Sequence, residues 1–224
     1  MKMIIYHGSE YIVKPEFGKG KPFNDYGLGF YCTESLELAK EWACAHGKDG
    51  FANCYELKLD GLKILKLNDH NYNILNWLAI LMDNRRFSAN GNIAKAAKQY
   101  ILDNYLPDYK DYDIIIGYRA DDSYFSFAGD FISNSLSLKD LKSAMALGTL
   151  GEQVVLKSKQ AFENIVTLNY VDARSSEYFD KFKLRDSQAR ARYQDISAHP
   201  FSSDDLYILD IIREGIKNGD PRLQ

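Results

Sequence analysis

The sequence predicts an α+β fold, on three observations. Residues Phe51 to Leu59 alternate apolar and polar side chains as a half-buried strand does. The run Ile114-Ile115-Ile116 has no periodicity and suits a strand buried on both faces. Between and after these lie stretches with helical spacing, including Ile93–Tyr105, which carries Ala94, Ala96, Ala97 and Leu102 and stops before Pro107.

Taken in order, Met3–Tyr6 reads as a short strand, and Lys14–Tyr26 as a loop. That loop carries Pro15, Gly18, Gly20 and Pro22 and is placed to cross a ligand cleft. Gly29–Thr33 is strand-like. Leu36–Ala45 is a helix opened by Thr33 or Ser35, with Leu38, Trp42 and Ala45 near one stripe. Leu62–Leu67 forms a second strand after an Asp60-Gly61 turn. Helices follow at Tyr72–Phe87 and Ile93–Tyr105, then a strand at Tyr112–Gly117. Phe125–Ile132 and Leu138–Ala146 are read as helical. Gln153–Lys157 and Ile165–Tyr170 are strands joined through a turn at Ser158. From Ala173 the charge becomes dense, and Ser175–Tyr193 and Ser203–Lys217 carry helical spacing. The expected organisation is one domain over residues 1–172 with a helical extension over 173–224.

A chain of 224 residues can bury a full core, and 46% hydrophobic with 26% charged residues is the balance of a soluble globular protein. The net charge of −3 gives no global attraction to nucleic acid, although a local basic surface is compatible with it. Cys32, Cys44 and Cys54 show no metal-ligand spacing, so they are expected to be reduced thiols. No apolar segment reaches membrane-spanning length. The expectation is a cytoplasmic protein without a metal.

Two stretches carry chemistry. Tyr6-His7-Gly8-Ser9 closes the first strand, where imidazole and hydroxyl both need partners. Tyr26-Gly27-Leu28-Gly29-Phe30-Tyr31-Cys32-Thr33 delivers a phenol, and the helix behind it presents Trp42. Together they describe a cleft with a hydrogen-bonding floor and aromatic walls, suited to a ribose and a flat heteroaromatic ring. Far downstream, Gly148-Thr149-Leu150-Gly151-Glu152-Gln153-Val154-Val155-Leu156-Lys157 places a carboxylate and an amide side by side at the start of a late strand.

These three motifs, in this order, resemble the His-Tyr-Glu branch of the ADP-ribosyltransferase superfamily. Over roughly residues 3 to 170 the wording is similar to a bacterial group catalogued as DUF3990, assigned to that superfamily by its fold. The resemblance implies a split, mostly antiparallel β-core with flanking helices, clamped around NAD. It implies that His7 bonds the adenosine ribose, that Gly8 holds the nicotinamide carboxamide through its backbone, and that Ser9 binds NAD beside them. It also implies that Tyr31 and Trp42 cover the two faces of the nicotinamide ring. The implied reaction is transfer of ADP-ribose to a macromolecular acceptor with release of nicotinamide. A role as a bacterial toxin or phage-defence effector, with a neutralising antitoxin as partner, belongs to the same implication. NAD hydrolysis by water and a catalytically inactive binding module are the competing readings.

The carboxylate of the signature stabilises the positive charge that builds on the ribose as the nicotinamide leaves. Glu152 is the choice for that task, because an amide brings no charge. Gln153 is its rival, since neighbours on a strand face opposite sides and only one can enter the cleft. Leu150 and Gly151 stand where arginine-modifying members carry a further acid. Arg119, Asp121 and Asp122, directly after a buried strand, are candidates for positioning the acceptor, as is Gln153. Arg185 and Arg190 read as surface ion-pair partners on a helix.

Overall fold

The computed structural model describes residues 1–120, 122–146, 151–199 and 201–223. Two sheets form its centre. In the first, β1 (Lys2–Ser9) runs antiparallel to β3 (Gly50–Lys58), and β3 antiparallel to β7 (Ile165–Ala173). In the second, β2 (Phe30–Cys32), β6 (Glu152–Leu156), β5 (Ile114–Tyr118) and β4 (Ile64–Lys66) lie in that order. All pairs are antiparallel except β4 with β5. The sheets are joined at one bridge, where Tyr6 and Thr33 exchange backbone hydrogen bonds of 2.8 and 2.9 Å. Beyond that bridge β1 and β2 part.

The uninterrupted isoleucines of β5 are explained by what covers each face. Ile114 and Ile116 pack with Ile5, Tyr55, Leu57, Val154 and Leu156 between the two sheets. Ile115 and Val155 face the other way, into a larger core beneath the helices. That core is built on α2 (Ile74–Asn84), α3 (Gly91–Tyr105), α4 (Asp122–Ile132) and α5 (Leu138–Ala146), with Trp77, Ile80, Ile101 and Phe131 fully buried. The chain therefore stacks sheet, sheet and helices in three layers. No described helix is long and apolar enough to cross a membrane.

Helix α1 (Leu36–Ala43) is capped by Ser35, whose Oγ accepts from the Leu38 N–H at 3.2 Å. After the Asp60-Gly61 turn the chain crosses to the second sheet, where β4 joins β5 in parallel. Two expectations are corrected. Ser158 is not a turn between paired strands but the N-cap of the short helix α6 (Lys159–Glu163), and β6 and β7 lie in different sheets. In the tail, α7 spans Ser175–Ser197, whereas α8 is confined to Ile208–Arg213 and ends at Gly215, whose φ is +62°.

The tail is bound to the rest of the chain. Ile208, Ile211, Ile216 and Leu223 belong to the large core. Arg185 of α7 reaches Glu41 of α1 with Nε and Nη2 at 2.7 and 2.8 Å, and the Glu41 carboxylate is buried. Arg190, by contrast, pairs with Asp186 on the surface, as its spacing predicts. Removing one partner of a buried pair strands the other charge, at a cost of about 3–5 kcal/mol. Thermal unfolding of Arg185→Ala is therefore expected to show a large loss of stability. Arg190→Ala should fall within about 0.5 kcal/mol of the parent.

Candidate functional site

Where β1 and β2 part, a cavity of about 580 Å³ opens, roofed by the loop that follows β1. His7, Tyr31, Asp25, Arg85, Arg119 and Gln153 line it, and the loop adds Lys14, Lys19 and Lys21. The loop between the two strands thus borders the cleft, as its position in the sequence predicts.

His7 is held from two sides. Its Nδ1 lies 2.8 Å from the Tyr31 carbonyl, and its ring packs on Phe30 with centroids 4.6 Å apart. A carbonyl only accepts, so Nδ1 carries the proton and the neutral ring keeps Nε2 as an acceptor. Burial holds the His7 pKa below the ordinary 6.5 and outweighs the carbonyl bond. The sign follows. An unfolded chain takes up a proton at this histidine before the folded protein does. Stability from the neutral ring is therefore complete above pH 6.5 and declines as pH falls toward the folded value. Thermal unfolding between pH 7 and 5 should fall more steeply for the parent than for His7→Gln, by at most about 1.4 kcal/mol per pH unit.

Tyr31 contributes its ring rather than its hydroxyl. The hydroxyl donates to the Gly27 carbonyl at 2.6 Å and accepts from the Tyr26 N–H at 3.1 Å, tying the turn that precedes β2. Tyr26 is itself anchored through a 2.7 Å bond to the Tyr118 carbonyl, and Gly117 makes room for its phenol. Lys157, whose Nζ donates to the Tyr26 carbonyl, is pushed down to about 8 by burial.

Gly8 and Ser9 occupy different settings. A Cβ on Gly8 would overlap the Ala39 carbonyl oxygen of α1 and lie 2.8 Å from the Ala43 nitrogen. The missing side chain therefore admits helix α1. The Gly8 backbone is another matter. Strand alternation turns its N–H and C=O to the same edge as those of Tyr6, the edge along which the sheets separate. Ser9 Oγ accepts from the Tyr11 N–H at 3.2 Å and does not line the cavity. Trp42 stands behind the cleft instead of in its wall: the Arg119 guanidinium, which does line it, lies 4.9 Å above the indole. The Trp42 Nε1 is buried without a partner.

The two neighbours on β6 separate as alternation demands, with Gln153 rather than the expected Glu152 toward the cavity. Gln153 is 6% exposed and lines the cavity. Glu152 does not line it; its Oε1 accepts from Asn68 Nδ2 at the far side. Asp121 lies outside the described residues, as do the Asp122 side chain and the Gly148-Thr149-Leu150 segment. Among the described residues no cluster of three His, Cys, Asp or Glu could hold a metal ion, and Cys32, Cys44 and Cys54 are buried free thiols.

Asp25 is the site residue that sequence reading passes over. It is buried and gathers three donors: Arg85 Nη1 at 2.7 Å, the Ala120 N–H at 2.9 Å and Gln153 Nε2 at 3.2 Å. Arg85 is steadied in turn by lying 4.2 Å above the Phe125 ring. In a loop rich in Gly, Pro and Asn, an aspartate reads as a turn former, and an arginine ending a helix reads as a dipole partner. Nothing local marks the two as a pair 60 residues apart.

Comparison with known proteins finds no match among curated proteins or solved structures. The sequence profile described as "Protein of unknown function (DUF3990)" matches residues 3–167, from the first strand into β7, and the chain belongs to that family.

Proposed function

We propose that this cleft binds NAD and transfers its ADP-ribose to a macromolecular acceptor, releasing nicotinamide. The observation that carries the reading is the floor of the cavity. His7 keeps one ring nitrogen as an acceptor, and the Gln153 Oε1 is a buried acceptor with no partner. Two acceptors beside an open cleft suit the hydroxyls of a ribose. Tyr31 and Phe30 supply aromatic walls, and Lys14, Lys21 and Arg119 place positive charge where a pyrophosphate needs it. A volume near 580 Å³ falls within the range of small-molecule sites.

On this reading Gln153, not Glu152, meets the ribose as the glycosidic bond breaks, with the Asp25 carboxylate hydrogen-bonded to its amide. The acceptor would dock where Arg119 meets the mouth of the cleft. A chain that modified an essential macromolecule would slow its host, so a neutralising partner belongs to the proposal. The amide in place of an acid favours a second reading, an NAD-binding module without turnover. One experiment separates them. The protein is incubated with NAD labelled in the adenylate and with cell lysate, and the products are digested with protease or nuclease. Label on a macromolecule supports transfer; labelled ADP-ribose alone indicates hydrolysis; intact NAD with saturable binding indicates the module.

A further inference from the structure

We propose that Asp25 is a positioning residue that sets the specificity of the cleft, by fixing the Gln153 amide so that only its carbonyl faces a ligand. The inference rests on the NAD reading for the identity of the ligand but not for the geometry. An ionised carboxylate accepts and never donates. With Arg85 on Oδ1 and the Ala120 N–H on Oδ2, Asp25 can receive Gln153 only through its Nε2. Reversing the amide would set Oε1 against Oδ2. The remaining end, Oε1, is a buried acceptor without a partner, on a residue that lines the cavity.

A glutamine free to turn would serve hydroxyls and carbonyls alike. One locked in this way accepts from a ligand hydroxyl and rejects a carbonyl or phosphate oxygen at the same spot. The N–H···carboxylate bond also polarises the amide and makes its carbonyl a better acceptor. The ligand chemistry selected is a hydroxyl donor, in NAD a ribose hydroxyl next to the scissile bond. The charge that Gln153 lacks stands one hydrogen bond behind it.

The test compares NAD with an analogue whose nicotinamide ribose lacks both hydroxyls, titrated into three proteins. The parent should bind NAD at least about tenfold more tightly than the analogue, because a desolvated acceptor left unpaired is costly. In Asp25→Asn an NH2 group in place of Oδ2 meets two donors, Gln153 Nε2 and the Ala120 N–H, so the amide is released and the preference should vanish. In the double variant Asp25→Asn, Gln153→Glu the amide and the carboxylate have exchanged places. An acceptor again faces the ligand, and the preference should return to within about threefold of the parent. If Asp25 merely braces Arg85 and the loop, the double variant stays as weak as the single one, and the proposal is overturned.

Equal binding of the two nucleotides by the parent overturns it as well. Should Asp25→Asn fail to fold, the side-chain amide signals of Gln153 in the parent decide. One slowly exchanging Nε2 proton supports the lock, and a freely exchanging amide refutes it. The same signals decide if the parent binds neither nucleotide, an outcome that removes the NAD reading by itself.

Discussion

A Gly8→Ala protein is expected to lose about 3 kcal/mol of stability. The new Cβ would overlap the Ala39 carbonyl oxygen and stand 2.8 Å from the Ala43 nitrogen and 2.9 Å from the Trp42 Cβ. Two of these atoms are helix backbone, which cannot rotate away, so α1 must withdraw from β1 as a body. In a domain of this size, that loss lowers the unfolding temperature by roughly 6–12 °C. Gly129→Ala is the control, because its Cβ would meet nothing within 4 Å and it lies inside α4. That substitution should leave stability unchanged or raise it by up to about 1 kcal/mol. A Gly8→Ala protein as stable as the parent would mean that α1 does not pack on β1 this closely.

The second large effect concerns β6. Gln153→Ala should slow nicotinamide release from saturating NAD by about 10²–10³, the usual consequence of removing one well-placed polar group from a reacting centre. Glu152→Ala should stay within about threefold of the parent, since its carboxylate is engaged with Asn68 outside the cavity. Initial rates for the two variants give the comparison. The reverse order would restore Glu152 to the site and require β6 to turn over on binding.

Much of the fold is legible because its signals are local. Ser35 caps α1 and Pro107 lies just beyond α3, whereas β3, half-buried by its alternation, is buried on both faces from Ala52 to Tyr55. The bounds of α5 follow from spacing alone. What escapes is set by partners distant in sequence. The phase of β6, which decides between Glu152 and Gln153, is fixed by pairing with β2 and β5, and both neighbours carry polar side chains that fit either phase. The crossing from β3 to β4 hides behind an Asp-Gly pair that equally suits a hairpin. Glycine at position 8 suits a ligand or a helix, and only the placement of α1 shows which. Arg185 looks like its neighbour Arg190 until Glu41 is found buried beneath it.

The central claim is that the opening between β1 and β2 is an NAD site floored by His7 and Gln153. Calorimetric titration of NAD into the parent, His7→Ala and Gln153→Ala tests it directly. The account predicts saturable binding at one site per chain, weakened at least about tenfold in each variant as a buried acceptor is lost. Absence of saturable binding by the parent, or equal affinity in all three proteins, would contradict it.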